Sequence, residues 1–315
     1  MSDTSPLPDL AARVRGAYLG FAVGDALGAS VEFLTAGEIR ARYGELRDLV
    51  GGGWLKLKPG QVTDDTQMSL ALGEAILAAR AAGEDWSLPR VAEHFAAWLK
   101  TRPIDVGNTC RRGIVRYMQQ GSLEATPHEG DGGNGAAMRN LPVVLATLSD
   151  QDDGPGSRFA RYTLAQCRFT HHHPYSDAAA LALGRMARRL LAGQGQDAAR
   201  RVADDLAAER RTFRFDPYPR RASGYVVDTW QTVCHAFFST ADFESCVVLA
   251  VNQGGDADTN GALAAMLAGA CYGEDAIPPR WLRRLDREAR QAAADQAERL
   301  AGLDRPGHVP PSARS

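Results

Sequence analysis

The sequence predicts an all-α protein, a many-helix bundle with its functional site on the loops between helices. Three observations lead there. Alanine-rich amphipathic segments recur along the whole chain, alternating β-branched runs are almost absent, and no linker or internal repeat divides the 315 residues. A chain of this length can form one large domain or two small ones. The missing linker decides for a single domain over 1–315, with an ordered core of about residues 10–305.

Helices are expected to begin near Leu10, Asp65, Leu88, Asp105, Asn134, Arg158, Pro174, Gln196, Ala222, Phe243, Asp258 and Pro279. Several carry start signals. Pro174 opens Pro174-Tyr175-Ser176-Asp177, Asp65-Thr66 precede Met68-Ser69-Leu70, and Pro279 precedes Trp281-Leu282. The glycine-rich stretch from Val50 to Gly60 reads as a loop or a short hairpin, and it runs onto the acidic cluster described next. The termini, Pro306 to Ser315 especially, and the Asp150-to-Ser157 loop read as the least ordered parts.

The strongest chemical signal is a pair of acidic clusters, Thr63-Asp64-Asp65-Thr66 and Asp256-Ala257-Asp258-Thr259, each running into an apolar helical stretch. Asp and Thr cap helix N-termini, and one such residue is enough for a cap. Four in a row after a glycine-rich loop exceed what capping needs. The second cluster matches the start of a Ca²⁺ loop, but Leu267 stands where the bidentate Glu is required and a helical run replaces the rest of the loop. What remains is a glycine turn presenting two carboxylates at a helix start. Adjacent buried carboxylates repel, so a fold that brings the clusters together needs a cation between them. Oxygen ligands select hard ions, Mg²⁺ or Mn²⁺.

Other motifs are weaker. Glu32 ends a stretch, Gly16 to Phe33, in which five small residues recur at helical spacing and favour close helix contact. A lone acid there serves as an ion-pair partner of an Arg, a ligand, or a general base with a raised pKa. Asp105 to Arg112, including Asn108, and Glu129 to Arg139, including Gly133, Asn134 and Gly135, are loop-to-helix junctions. Such junctions supply N–H groups suited to phosphate, although neither matches a P-loop or a dinucleotide fingerprint. His171-His172-His173 cannot converge on one zinc from a regular backbone, and no Cys or H-E-x-x-H supports one. His173, beside a helix start, reads as a substrate hydrogen-bond donor. Tyr225 offers a ring to stack on a base, against core packing as its commoner use.

Some function classes are excluded. A net charge of −2 gives no basic footprint for nucleic acid. Every apolar stretch is broken by charge before about 18 residues, so no integral membrane segment is expected. The first six residues lack the order of a signal peptide. The five cysteines, Cys110, Cys167, Cys234, Cys246 and Cys271, are scattered and read as reduced thiols of a cytoplasmic protein.

Together these motifs resemble the ADP-ribosylglycohydrolase family over about residues 10–305. The Gly51-to-Gln61 loop with Trp54 and the Asp105-to-Gly113 run resemble the branch of that family acting on dinitrogenase reductase. The resemblance implies an all-α fold with two Mn²⁺ or Mg²⁺ ions in a central cleft. Thr63, Asp64, Asp65, Asp256, Asp258 and Thr259 would be the ligands, with Glu32 close by. It implies cleavage of the N-glycosidic bond between ADP-ribose and arginine, on ADP-ribosylated dinitrogenase reductase. A PII-type signalling protein is the implied regulatory partner, with reversible membrane association through it. Two cations about 3.5–4 Å apart clamp ribose hydroxyls and activate water. As the glycosidic bond lengthens, a carboxylate on the sugar face stabilises the oxocarbenium-like ion. Asp105 is assigned that place and Glu32 the adjustment of the water. The loops at Asn108 and Asn134-Gly135 are assigned the diphosphate. Competing readings are hydrolysis of another ADP-ribosyl linkage and a non-catalytic ADP-ribose-binding regulator.

Overall fold

The four glycines of the first helix determine how the molecule is assembled. The computed structural model describes residues 8–303, and helix α1 (Leu10–Gly28) runs through the centre, buried from Val14 almost without interruption. Gly16, Gly20, Gly24 and Gly28 recur every four residues and so share one face. That face lies directly on α12 (Ala257–Tyr272). A Cβ at Gly24 would sit 2.2 Å from the Gly261 carbonyl oxygen, and one at Gly28 2.1 Å from that of Ala257. Backbone therefore meets backbone, and the acids at the end of α1 are brought beside those at the start of α12. Because the neighbour is main chain on a buried helix, Gly24→Ala is expected to cost about 3 kcal/mol, read by urea denaturation. A loss below about 1 kcal/mol would show that the helix pair has slack.

Around this pair pack α2 (Ala36–Tyr43), α3 (Asp64–Ala81), α4 (Leu88–Lys100), α5 (Asn108–Gln120), α6 (Leu141–Ala146), α7 (Arg158–Arg168) and α8 (Pro174–Leu191). Helices α9 (Gly195–Glu209), α10 (Val226–Phe238), α11 (Phe243–Val251), α13 (Pro279–Arg284) and α14 (Arg287–Ala301) complete the all-helical architecture. One contiguous apolar core extends from Val14 to Leu300. No helix among the described residues is long and apolar enough to cross a membrane. All five cysteines are free.

The observed elements differ from the expected ones where local chemistry overrides helical pattern. Helix α5 starts at Asn108, not Asp105, because Pro103 and the extended Gly107 hold the preceding turn open. No helix begins at Asn134. The chain bends at 134 and turns over residues 135–139, and α6 starts at Leu141 with Pro142 in its first turn. Helix α10 starts at Val226 rather than Ala222, after a bend that contains Gly224. The segment after Pro279 is broken in two by Asp286, whose carboxylate accepts from the Ala289 N–H at 2.9 Å and caps α14. Helix α2 was not anticipated, although its capping box is visible as Thr35 and Glu38. The Gly51–Gly60 stretch forms a small hairpin in which Gly52 and Leu57 exchange two N–H···O bonds of 2.8 Å. The expected disorder of Pro306–Ser315 and the reading of the first six residues lie outside the described residues.

Candidate active site

Both acidic clusters sit at helix N-termini that point into one cleft. Thr63 caps α3 and Asp256 occupies the cap position of α12. The turn before Asp256 uses Gly254 and Gly255 at φ of 74° and 66°, values that glycine adopts without strain. Gly255 donates its N–H to the Leu34 carbonyl at 2.8 Å and accepts from the Phe33 N–H at 2.7 Å. These bonds tie the Glu32 loop to the Asp256 loop. A cavity of about 370 Å³ results, lined by Glu32, Asp64, Asp65, Asp105, Asp256, Asp258 and Thr259 together with Trp54, Asn108, Cys110, Gly133 to Gly135 and His171.

One carboxylate oxygen from each of Glu32, Asp256 and Asp258 lies within 4.8 Å of the other two. Desolvation and mutual repulsion push the acids toward their neutral forms. Burial raises Glu32 to about 8 and Asp64 to about 7. Asp65 and Asp258 are carried well above the usual carboxylate range, first by burial and then by neighbouring carboxylates. Asp65 Oδ1 is buried and has no hydrogen-bond partner. An orphaned anionic oxygen among like charges is costly, and a hard cation relieves both costs together. The donor set is all oxygen, so the residues present fit Mg²⁺ or Mn²⁺.

The supporting shell includes a residue that sequence reading missed. Asp25 lies in the last turn of α1, fully buried, and accepts from Thr63 Oγ1 at 2.9 Å, Thr66 Oγ1 at 2.5 Å and the N–H groups of both threonines at 3.1 Å. It fixes the first turn of α3 and therefore the aim of Asp64 and Asp65. The Thr63 hydroxyl donates to Asp25, and Thr63 does not line the cavity. Asp64 accepts from the Gly107 N–H at 3.0 Å, which links the α3 cluster to the Asp105 loop. Thr259 Oγ1 donates to Asp65 Oδ2 at 3.2 Å across the two clusters.

Glu32 is held by the indole of Trp54, whose Nε1–H donates to Oε2 at 2.6 Å. That bond opposes the effect of burial on the Glu32 carboxyl. Trp54→Phe is expected to raise the Glu32 pKa further and weaken divalent-cation affinity at neutral pH by about tenfold or more. Calorimetric titration with Mn²⁺ measures this, and an unchanged affinity would remove Trp54 from the site.

The remaining sequence candidates divide between the cleft and its outskirts. Asp105 is half-buried in the cavity wall, and burial raises its pKa. The N-terminus of α5, from Asn108, opens into the cavity. The Gly133 and Gly135 N–H groups donate to no acceptor among the described residues. The Asn134 amide, in contrast, donates to Thr229 Oγ1 at 2.9 Å and to Asp256 Oδ2, so it positions a carboxylate instead of facing the cavity as a free donor. His173 caps α8 by accepting from the Tyr175 N–H at 3.1 Å and does not line the cavity. His171 does, two residues earlier. Fully buried, it is held neutral by desolvation, with Nδ1 2.8 Å from Thr170 Oγ1. The Thr170 hydroxyl is also bound by the buried Arg139 at 2.7 Å. Glu129 and Tyr225 are exposed and stand outside the cavity, with Tyr225 packed on Gly132. The Cys110 thiol in the wall is raised to about 12 by burial and is inert as a nucleophile.

A larger cavity of about 600 Å³ lies beside α8 and α9. It mixes both charge signs, including the Arg168–Asp177 and Arg189–Asp153 pairs at 2.9 Å and 2.8 Å, and holds no convergent carboxylates. The chemistry belongs to the acidic cleft.

Comparison with known proteins agrees with this geometry. The family described as ADP-ribosylglycohydrolase matches residues 6–308. The chain is 54% identical to the ADP-ribosyl-[dinitrogen reductase] glycohydrolase of Rhodospirillum rubrum, over 94% of this chain and 99% of that protein. It is 32% identical to the ADP-ribosylarginine hydrolase Tri1 of Serratia proteamaculans, over 88% of this chain and 76% of that one. A solved structure described as an ADP-ribosylglycohydrolase-related protein complex superimposes with a TM-score of 0.81 at 33% identity, covering 94% of this chain and 99% of that chain. With its two acidic clusters converged on one cleft and these matches spanning nearly its whole length, the chain belongs to the ADP-ribosylglycohydrolase family.

Proposed function

We propose that this protein is a glycosidase that hydrolyses the bond between ADP-ribose and an arginine side chain on dinitrogenase reductase, acting as one catalytic domain. The observation that carries the reading is the convergence of Glu32, Asp64, Asp65, Asp256 and Asp258 in a cavity shared with free backbone donors. The full-length similarity to a protein named for this substrate supports the target. Glu32, Asp64, Asp65, Asp256, Asp258 and Thr259 would hold two divalent cations, for which we propose Mn²⁺ or Mg²⁺. Thr63 contributes through Asp25 and the α3 cap. When bound, the cations supply positive charge beside the ribose hydroxyls and a nucleophile at neutral pH.

The chain's own residues do the rest. The α5 N-terminus and the Gly133 and Gly135 N–H groups present positive partial charge to the diphosphate. Asp105 lies close enough to Asp64 for its charge to raise that pKa, so it borders the metal ligands where the ribose would lie. Its carboxylate stabilises positive charge on the sugar as the bond to the guanidine breaks. Neutral His171, which lines the same cavity and is held in orientation by Thr170 and Arg139, would hydrogen-bond the substrate. Control by a PII-type protein, reversible membrane contact through it, and a cytoplasmic location form part of the proposal by resemblance.

The linkage is tested by offering purified protein ADP-ribosyl-arginine, ADP-ribosyl-serine and O-acetyl-ADP-ribose with Mn²⁺. Turnover of the arginine conjugate above the other two is expected. Preference for either of the others would move the protein to a different reaction, and tight ADP-ribose binding without turnover would make it a binding protein.

A further inference from the structure

We infer that the Trp54 side of the cleft mouth is a docking surface for an acidic protein segment carrying the modified arginine. The inference rests on the proposed hydrolase reading and adds the class of protein sequence that the site accepts.

A shallow pocket of about 510 Å³ opens off the active cleft and shares Trp54, Asp105 and Val106 with it. Its other walls are Leu99, Arg102, Pro103, Ile104 and Arg111. Three of the large apolar side chains that remain exposed gather here. Phe33 is 63% exposed, Trp54 52% and Ile104 45%, and the Phe33 and Trp54 rings lie 5.4 Å apart. Exposed aromatics around a pocket rim mark an interaction surface.

Apart from Asp105, the charged residues in the wall of this pocket are cations, Arg102 and Arg111. The chain has only three lysines, Lys56, Lys58 and Lys100. Two lie on the hairpin that carries Trp54, and the third ends α4 two residues before Arg102. Lys56, Lys58, Lys100, Arg102 and Arg111 are all exposed, and none has an ion-pair partner among the described residues. Asp105 is shared with the cleft wall, which also carries Glu32. Unpaired cations in the pocket wall and on the hairpin that carries Trp54 complement a partner with carboxylates around an apolar or extended segment.

The backbone points the same way. Among the described residues four non-glycine residues hold a positive φ, and three of them, Phe33 at 64°, Lys56 at 56° and Arg102 at 59°, frame this mouth. Strain of this kind clusters where a surface is held in shape for binding.

The test uses the full chain with Mn²⁺ and three substrates: free ADP-ribosyl-arginine, an arginine-ADP-ribosylated peptide flanked by glutamates, and one flanked by lysines. Wild-type kcat/KM for the glutamate peptide is expected to exceed that for the lysine peptide by about tenfold or more, with the gap closing at high salt. Lys56→Glu/Lys58→Glu and Arg102→Glu, made separately and together, should erase or invert the preference. Activity on free ADP-ribosyl-arginine should stay within about twofold. Equal loss on all three substrates would mean that these cations serve the diphosphate, and no change on any would mean that the rim is idle. Either result overturns the inference. Failure of the wild type on free ADP-ribosyl-arginine would instead sink the hydrolase reading beneath it.

Discussion

Asp258→Asn is expected to abolish Mn²⁺-dependent activity, by about a thousandfold or more, and to remove the thermal stabilisation that Mn²⁺ gives the parent protein. The same substitution should make the metal-free protein more stable. Asp258 is nearly fully buried among Asp256, Asp65, Glu32 and Asp25, and each of these carboxylates opposes its ionisation. Asn keeps the shape and deletes one charge. Opposite signs with and without metal distinguish a ligand from a packing residue, whose loss would lower stability in both states.

The pH dependence of the metal-free protein follows from the same charges. These carboxylates have folded-state pKa values above their unfolded ones, about 6 for Asp25, about 7 for Asp64 and about 8 for Glu32. The folded state then binds more protons than the unfolded chain. The stability these groups contribute is complete below about pH 4 and is lost as pH rises through those values toward 8. Metal-free melting temperature should fall over that interval, and Asp258→Asn should flatten the slope. A metal-free protein whose stability rises from pH 5 to pH 8 would contradict the repulsive cluster.

Asp105→Asn carries the second large effect. The side chain lines the cavity from the loop before α5, where Gly107 also binds Asp64. Removing its charge while keeping its volume should lower kcat by about 10²–10⁴-fold. Affinity for ADP-ribose and for Mn²⁺ should change little, since neither binding role is assigned to it. Near-normal turnover would take Asp105 out of the mechanism, and a matching loss of metal affinity would move it among the ligands.

Much of this site is legible in the sequence because its acids come in runs. Thr63 to Thr66 and Asp256 to Thr259 announce themselves as more carboxylate than a helix cap requires, and both occupy helix starts in the fold. Asp25 was invisible for the opposite reason. It is one acid inside an apolar helical run, and only the arrival of Thr63 and Thr66 from another helix gives it a role. Among the three histidines the sequence favours His173 for its place beside a helix start, but what separates them in the fold is burial, which spacing does not report. His173 has the helix start but spends its ring on the cap, whereas His171 is fully enclosed at the cavity wall. Asn134 was read as facing the diphosphate from its glycine neighbours, yet Thr229 and Asp256, about a hundred residues away, claim its amide. The glycine repeat of α1 was readable as a close-packing face, and its partner α12 was not, because spacing reports a contact without naming the other side.

The central claim is tested most directly by incubating the protein with arginine-ADP-ribosylated dinitrogenase reductase, with Mn²⁺ and with EDTA, and measuring released ADP-ribose. Release with Mn²⁺ and none with EDTA is the predicted result. Release that survives complete metal removal would contradict the account, because the acidic clusters would then have no cation to hold.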